Sequence, residues 1–536
     1  MKNIAILDCT LRDGGRIIDC AFPNTEIENI SRDLSRANID LIEMGFIRNK
    51  REYNGNSTFF TSMEQIVPFL HKENGNAKYL VFVDFGMFDE SKITPRKENG
   101  IDGIRFGFTK KDYRTQRDEI ERQVFSLKEK GYEIYLQDVN TFGYTDKELL
   151  EIIGFANKLE PVSFGIVDTY GAMDAEDLQR IFSVVNHNLN QEIAIDFHSH
   201  NNMQLSYALS QEMIRLCRDT RSLIIDATLN GMGKCAGNLN LELIVSYMNR
   251  KLQCNYDFDL LLDIIDEYLY DYKQNNSWGY TIPAFMAGIY RAHPNNVIYL
   301  TEKFRLKTKD IEHIIARINE EKRQTYDYDN IQKIYVEYCA NQVDDREAIA
   351  ELRKILDGKE VLILVPGQSI VRREREIQSY IQEKKPIVIS VNFDGKSFAV
   401  DFEFYANIRR YEKVGVLSDG KKIVASNIKV RDEEAYVFNY FELIESNGKY
   451  FDNSTIMLLN LLKRLDVKDV VFAGFDGFSS EGHDFVDDTF YENRFIDKYE
   501  EINREMEKTL RNFAERVSDK MKIKFLTSSI YEKIFE

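Results

Sequence analysis

Several features of secreted, membrane and nucleic-acid-binding proteins are missing from this 536-residue sequence. Its six cysteines form no CxxC pair and no dense framework, so we expect reduced thiols in a cytoplasmic protein. No apolar run reaches the roughly 18 residues that a membrane span needs. The first residues also lack the basic and apolar pattern of a signal peptide. We therefore expect no membrane partner.

An excess of positive charge is absent as well. The formal net charge is -17, which argues against nonspecific binding of nucleic acid or anionic lipid. An anionic small substrate stays possible, because it would meet only a local site. With eight prolines and no low-complexity tract, long disordered linkers are not expected. The length predicts two or three folded domains.

Short apolar runs alternate with segments of helical period over the first half of the chain. Eight such runs in about 250 residues, each followed by a predicted helix, favour a TIM (β/α)8 barrel over an open doubly wound sheet. Polar residues follow many of the runs, whereas an open sheet would concentrate them at one switch point. The predicted strands cover residues 4–10, 40–46, 78–84, 103–108, 133–139, 162–168, 193–199 and 223–229.

The remainder of the chain predicts two further regions beyond a barrel at residues 1–255. Residues 256–352 have apolar positions at helical spacing and predict a helical extension that covers the barrel. Residues 358–536 alternate buried strands with helices, which predicts a Rossmann-like α/β domain. The overall fold class is therefore α/β.

The stretch IAILDCTLRDGGR, residues 4–16, carries an unusual density of charge at the end of an apolar strand. Arg12 and Asp13 follow Asp8 there, and two glycines come next. Such charges are costly in a protein interior unless they pair or bind something. Taken alone, Asp13 and Arg12 could form a structural ion pair or cap a turn.

The sequence His198-Ser199-His200 is the sharpest local signal after that stretch. Side chains two apart on a strand point the same way, so the two imidazoles form half of a metal site. Asp13 is the natural carboxylate to complete it. The alternative is two surface histidines that share a face by chance.

A glycine-rich segment, residues 230–242, follows the eighth predicted strand. Its spacing matches neither a Walker nor a dinucleotide motif. It suits a loop that approaches a ligand closely, or a plain strand-to-helix connection.

Four motifs together resemble the metal-dependent aldolase and lyase superfamily, and they extend over about residues 4–250. They are LDCTLRDGG at 7–15, IEMGF at 42–46, DFHSHNN at 196–202 and NGMGKCAGNLNLE at 230–242. DTYGAMDAEDL at 168–178 and AHPNN at 292–296 resemble its 4-hydroxy-2-oxovalerate aldolase branch in particular. The resemblance implies a TIM barrel and an enzyme that cleaves or forms a carbon-carbon bond next to a 2-oxo acid, through a pyruvate enolate.

The resemblance also implies roles for individual residues. Asp13, His198, His200 and Asn238 would bind a divalent metal, with Mn²⁺ or Mg²⁺ favoured and Zn²⁺ or Co²⁺ as alternatives. Arg12 would stabilise the enolate oxygen, and Asp8 and Glu43 would orient these groups. A small-molecule 2-oxo acid is the expected partner, and we expect a homo-oligomer.

One position departs from the aldolase pattern. These aldolases carry a proton-transferring histidine three residues after the metal aspartate, where this sequence has Arg16. His293 and Tyr290 are the replacement candidates, with Tyr170 a further one. Arg16 could instead hold an anionic substrate group.

Two other functions remain open at the sequence level. An acyl-CoA-dependent condensing synthase of the same superfamily would place a glutamate at the position of Gly15. Alternatively, the barrel would be a non-catalytic scaffold beside an active second domain.

The second domain resembles, faintly, the DUF115 and bacterial sialyltransferase-like folds, through LILVPGQSI and the later GFDGF. That resemblance implies a nucleotide or nucleotide-sugar site at Gly367, Gln368 and Ser369, with a glycosyltransferase-like activity. The same residues also fit a turn and a helix cap.

Overall fold

The computed structural model describes residues 4–49, 53, 55–72, 77–276, 278–301, 306–430, 435–445, 450–478, 485–486, 499–517 and 519–536. It divides into two compact units. The first comprises residues 1–299 and 318–326, and the second residues 300–317 and 327–536. The predicted helical extension, 256–352, is therefore shared between the two units.

The first unit contains a closed barrel of eight parallel strands, as predicted. Each strand pairs with its neighbours in chain order, and β1 pairs with both β2 and β8 to close the ring. A short strand, Phe59–Phe60, adds to the end of β2. The strands are β1 Ile4–Asp8, β2 Leu41–Ile47, β3 Lys78–Asp84, β4 Gly103–Thr109, β5 Glu133–Val139, β6 Ser163–Asp168, β7 Ala194–Ser199 and β8 Leu223–Ala227.

Helices follow six of the eight strands. They are α1 Asn24–Arg36, α2 Lys110–Glu129, α3 Asp146–Leu159, α4 Ala175–Asn188, α5 Ser206–Cys217 and α6 Leu241–Leu252. Thr145 caps α3, since its hydroxyl accepts from the Glu148 amide.

The prediction of a helix after every strand is wrong for β2 and β3. Apart from the short strand Phe59–Phe60, the described residues there contain no α-helix and only the 3-10 turns Met63–Gln65, Val67–Phe69 and Glu90–Lys92. Between β3 and β4, Pro95 and Gly100 interrupt a segment without helix-period apolar positions, so it has neither a continuous amide ladder nor a face to bury.

The predicted helical character of residues 256–352 is confirmed. The helices are α7 Phe258–Ile264, α8 Tyr270–Asn275, α9 Ile282–Ile289, α10 Pro294–Thr301, α11 Thr308–Arg317, α12 Glu320–Arg323, α13 Tyr328–Cys339 and α14 Arg346–Leu356. A π-helical turn, Ile265–Leu269, joins α7 to α8.

The second unit contains an open sheet of seven parallel strands, consistent with the Rossmann-like prediction. Its order is β13-β12-β11-β10-β9-β14-β15, so the chain reverses direction across the sheet between β9 and β14. The strands are β9 Glu360–Leu364, β10 Ile387–Val391, β11 Phe402–Tyr405, β12 Lys422–Ala425, β13 Tyr436–Phe438, β14 Asp469–Ala473 and β15 Lys522–Phe525. Its helices are α15 Ser369–Arg372, α16 Glu374–Lys384, α17 Ile408–Arg410, α18 Tyr440–Leu443, α19 Ser454–Arg464 and α20 Tyr499–Val517.

Alternation along the barrel strands decides which side chains face inward. An apolar layer fills the lower interior, and it includes Ala5, Leu7, Leu41, Leu80, Tyr135 and Ile224. Three of the residues that continue these inward positions toward the carboxyl ends, Glu43, Gln137 and Asp226, are polar and buried, which places a buried polar layer below the barrel mouth.

Among the described residues, no helix combines the length and apolarity needed to cross a membrane. All six cysteines are free thiols.

Candidate metal centre

Asp13, His198 and His200 meet at the barrel mouth. One potential ligand atom from each lies within 4.8 Å of the others. Asp13 Oδ2 is 3.9 Å from His198 Nε2 and 3.6 Å from His200 Nε2. Residues far apart in sequence therefore converge as one carboxylate and two imidazoles, which is a ligand set for divalent metals.

The His198 ring is held from behind by Asp226. Its Nδ1 lies 2.8 Å from Asp226 Oδ2, which leaves Nε2 directed toward Asp13. A carboxylate behind a ligating imidazole fixes the tautomer and strengthens the ligand. His200 stands edge-on to His198, with ring centroids 5.2 Å apart.

Asn238 completes the group from the glycine-rich loop. Its amide nitrogen donates to Asp13 Oδ2 over 3.1 Å and to the Met232 carbonyl. Its Oδ1 is buried and has no hydrogen-bond partner in the described part of the chain. That orphaned oxygen is available as a further ligand. Gly237 permits the approach, because a Cβ there would lie 2.0 Å from the Gly231 carbonyl oxygen.

Arg12 lies directly against this group. Its Nη1 donates to Asp13 Oδ1 at 2.6 Å and its Nε donates to Glu43 Oε2 at 2.7 Å. The guanidinium carbon is 4.6 Å from the centroid of Phe82. Arg12 is thus fixed in orientation, with its charge beside the candidate metal position.

The expected supporting role of Asp8 is exerted through Thr10. Its two carboxylate oxygens accept from the amide and hydroxyl of Thr10, and the Thr10 hydroxyl accepts from the Leu229 amide. No described hydrogen bond connects Asp8 to Arg12 or Asp13. Asp8 supports the loops of the site rather than its charged groups.

Below the mouth, Arg105, a residue that sequence reasoning missed, binds a ring of carboxylates. Its side chain is fully buried, and its Nη atoms lie 3.1 Å from Glu43 Oε2, 3.2 Å from Asp196 Oδ2 and 2.5 Å from Asp226 Oδ2. Gln137 also donates to Asp196. Two signals were available: a charged residue inside the apolar run GIRFGF, and an aspartate two positions before His198 on the same strand face.

Burial and charge set the protonation of the group. Burial lowers the pKa of His198 and of His200 to about 4, so both imidazoles are neutral. Burial opposes ionisation of Asp13, but Arg12, His200, His198 and Arg16 together outweigh it and hold the pKa of that carboxyl well below its usual value. Neutral imidazoles and an ionised carboxylate are the forms that bind metal.

A second group of possible ligands, Cys9, His198 and Asp226, is less suited. Burial raises the pKa of the Cys9 thiol well above its ordinary value. The Asp226 oxygen is already engaged with His198 and Arg105. The residues that fit a divalent metal are therefore Asp13, His198, His200 and Asn238.

The proposed proton-transfer residues lie outside this contact network. His293 Nδ1 accepts from the Asn295 amide, and its ring stacks on Tyr326. Burial and then nearby Lys234 lower the pKa of His293, and Lys234 belongs to the glycine-rich loop. The ring of Tyr290 is 5.7 Å from the Arg323 guanidinium carbon.

Tyr170, the third candidate, has its hydroxyl committed elsewhere. It donates to the Gln324 carbonyl over 2.9 Å. No described hydrogen bond or ion pair links His293 or Tyr170 to the metal ligands.

In the second unit, Gly367, Gln368 and Ser369 follow β9 at the point where the sheet order reverses. The Ser369 amide donates to Asp476 Oδ2 at 2.8 Å, and its hydroxyl binds Asp476 Oδ1 and Thr527. The Gln368 side chain accepts from Arg372. A Cβ on Gly367 would lie 2.2 Å from the Gly474 carbonyl oxygen. The polar groups of this turn therefore already have hydrogen-bond partners within the second unit.

A closed parallel barrel with a buried carboxylate-imidazole group at its carboxyl end defines the class of the first unit. A family model described as HMGL-like matches residues 106–267, a stretch that contains both histidines and Asn238. This region is thus an HMGL-like domain, and the predicted kinship with the metal-dependent aldolase and lyase superfamily is confirmed.

Individual relatives are distant in sequence. The chain is 23% identical to 4-hydroxy-2-oxovalerate aldolase 2 of Salinispora arenicola, over 58% of this chain and 87% of that protein. A 2-isopropylmalate synthase of Geobacillus sp. is 20% identical over 48% of this chain, and only about half (49%) of that enzyme is covered. A solved N-terminal domain from Bacteroides vulgatus, provisionally described as an aldolase, is 24% identical and covers 56% of this chain and 97% of its own, with a TM-score of 0.47.

Proposed function

We propose that the first unit is a divalent-metal-dependent aldolase or lyase that acts on a 4-hydroxy-2-oxo acid. The convergence of Asp13, His198 and His200 within 4.8 Å, with Arg12 against Asp13, is the observation that supports it. These three residues and Asn238 would hold the ion. A bound divalent ion would supply Lewis-acid polarisation of the substrate's carboxylate and keto oxygens.

The chain's own groups account for the remaining chemistry. A base removes the proton of the C4 hydroxyl, the C3–C4 bond breaks, and the C4 carbon leaves as an aldehyde. The electron pair moves toward the keto oxygen, where the fixed guanidinium of Arg12 stabilises the developing charge. Protonation of C3 then yields pyruvate. His293 remains the proposed proton carrier, with Tyr290 as the alternative.

The identity of the metal ion, the cellular location and the oligomeric state are also proposals. One carboxylate and two imidazoles do not select among divalent ions, so Mn²⁺ or Mg²⁺ is proposed from the resemblance, with Zn²⁺ or Co²⁺ as alternatives. Free thiols in all six cysteines suit the proposed cytoplasmic location. A homo-oligomer is also proposed.

A condensing synthase is the second candidate, supported by the 2-isopropylmalate synthase relative. One contact favours the aldolase. Gly15 stands where such synthases would place a glutamate, and a Cβ there would lie 2.8 Å from the buried Phe22 ring. Any side chain at this position would displace that ring.

We propose no activity for the second unit. At Ser369 the Asp476 carboxylate already accepts the hydrogen bonds that a nucleotide phosphate would need. A nucleotide site at Gly367, Gln368 and Ser369 stays a prediction, as does the scaffold alternative for the barrel.

Metal analysis of the full-length protein tests the proposal. We expect stoichiometric divalent metal by mass spectrometry, and pyruvate release from a panel of 4-hydroxy-2-oxo acids. Asp13→Asn should lose the metal, whereas the matched exposed variant Asp344→Asn should keep it. A protein without metal, and without a thermal shift on adding Mn²⁺, Mg²⁺, Co²⁺ or Zn²⁺, would favour the scaffold.

Arg12→Ala separates chemistry from metal binding. We expect turnover to fall by about 100- to 1000-fold, the usual effect of removing one oxyanion-stabilising donor. Metal content should stay intact, because Arg12 is not a ligand. Full activity in this variant would refute the proposed role of Arg12.

A further inference from the structure

Three guanidiniums surround one buried aromatic ring at the carboxyl end of β2. Their central carbons lie 4.8 Å, 5.0 Å and 5.9 Å from the Phe46 centroid, for Arg16, Arg48 and Arg12 respectively. Phe46 is fully buried and packs edge-on against Phe82. Stacking on an aromatic face holds a guanidinium in place without using its N–H donors.

Two of these arginines are committed to carboxylates. Arg12 donates to Glu43 and Asp13, and Arg48 donates to Asp84. Donors of both guanidiniums are therefore already bound to carboxylates of the protein.

Arg16 differs from the other two. Its Nε is 3.3 Å from Asp13 Oδ1, and this is its one ion pair in the described part of the chain. The side chain makes no hydrogen bond to a described residue, and its Nε is buried without a hydrogen-bond partner. At 37% exposure the Arg16 side chain is accessible from solvent. A guanidinium with unused donors thus lies beside Asp13, one of the candidate metal ligands.

The charges of the mouth also leave room for an anion. Three arginines there face three carboxylates, Asp13, Glu43 and Asp84. A divalent ion on Asp13 would add two positive charges. In the layer below, Arg105 pairs with Asp196 and Asp226. At the mouth itself, Arg16 is the arginine whose side chain makes no hydrogen bond to a described carboxylate.

We propose that Arg16 binds a second anionic group of the substrate, carried on the half that leaves as the aldehyde. The preferred substrate is then a dianionic 2-oxo acid, with a carboxylate or a phosphate at its distal end. This inference rests on the proposed function and specifies its substrate class. Arg16 is proposed as a binding group, through the N–H donors of its planar guanidinium.

Binding of unreactive analogues tests the inference without turnover. Calorimetry on the full-length protein would compare 2-oxoglutarate with 2-oxohexanoate, a chain of similar length without the distal charge, both with Mn²⁺ and metal-free. We expect 2-oxoglutarate to bind more tightly, and Arg16→Gln to reduce that preference by about 10- to 100-fold, as the loss of a charge-assisted hydrogen bond implies. Arg16→Lys should restore part of the preference.

Control arms make the result specific. Arg36→Gln, on the exposed side of α1, should leave the preference unchanged. The phosphonate analogue 2-oxo-4-phosphonobutanoate distinguishes the two anions: tighter binding than 2-oxoglutarate identifies a phosphate site, and weaker binding a carboxylate site. Equal affinity of wild-type protein for 2-oxoglutarate and 2-oxohexanoate would overturn the inference.

A turnover arm separates this inference from the proposed function. Pyruvate release from 4-hydroxy-2-oxoglutarate and from 4-hydroxy-2-oxohexanoate would be measured in wild type and Arg16→Gln. If both substrates lose the same factor in kcat/KM, the aldolase stands and the anion site fails. If neither releases pyruvate but the calorimetric preference depends on Arg16, the anion site stands and the aldolase fails. Absence of both turnover and binding overturns both.

Discussion

The barrel mouth and the switch point of the second sheet are both formed by carboxyl ends of parallel strands, yet their polar groups are in opposite states. At the mouth, Asp13, His198 and His200 face one another, and Asn238 Oδ1 is buried without a partner among the described residues. At the switch point, the Ser369 amide and hydroxyl are paired with Asp476.

The difference shows that strand-end location alone does not make a site. Both places are where such folds commonly bind ligands. Buried polar atoms that lack protein partners need a water, an ion or a ligand, because leaving them unpaired is costly. Asn238 Oδ1 at the mouth is such an atom. In the turn after β9, the Ser369 amide and hydroxyl have Asp476 and Thr527 as hydrogen-bond partners.

The largest expected effect comes from removing the cation below the mouth. Arg105→Met leaves Glu43, Asp196 and Asp226 without their shared partner, and breaking a buried ion network of this kind costs about 3–5 kcal/mol. Calorimetric unfolding would measure the loss, and Arg105→Lys should recover part of it. If Arg105→Met unfolds like wild type, the mouth does not depend on this network.

A pH effect of intermediate size should distinguish the mouth from the switch point. Burial raises the pKa of Asp8 to about 7. A raised folded-state pKa stabilises the protein below the unfolded value of 3.8, and this contribution is lost as the pH rises through 7. The slope approaches about 1.4 kcal/mol per pH unit between those values.

Asp8→Asn should flatten that slope, since an amide does not ionise. Urea unfolding of wild type and variant at pH 5 and pH 7 would give the comparison. The two proteins should differ more at pH 7 than at pH 5, in favour of the variant. A slope that is the same in both would mean that Asp8 does not titrate in this range.

The smallest effect is expected at the switch point. Ser369→Ala removes the hydroxyl contacts to Asp476 and Thr527. It keeps the hydrogen bond from the backbone amide of residue 369 to Asp476. The cost should be about 1 kcal/mol, the usual net value of such hydrogen bonds. Metal content and pyruvate release should not change. A loss of turnover here would show that the second unit takes part in the reaction and that the switch point is not merely structural.

Much of the barrel follows from local sequence. All eight predicted strands are present, because short β-rich runs at regular spacing in a β/α pattern leave few alternatives. Thr145 and Asp174 cap α3 and α4, because their side chains satisfy amides that the helix itself cannot. The absence of helices after β2 and β3 does not follow from strand spacing, since both intervals are long enough to hold a helix.

The sequence predicted the candidate site only in part. From the sequence alone, residue types and the two-residue period placed His198 and His200 on one strand face, and the charge of Arg12 and Asp13 at a strand end marked a costly cluster that needed partners. Only the tertiary structure decided that these two places meet. Closure of the barrel through β1 and β8 brings distant strands together, and no local pattern encodes that distance. The same closure aligned Arg105 with three carboxylates and left Arg16 against Phe46 with unused donors, because side-chain partners across a barrel depend on strand register and not on sequence separation.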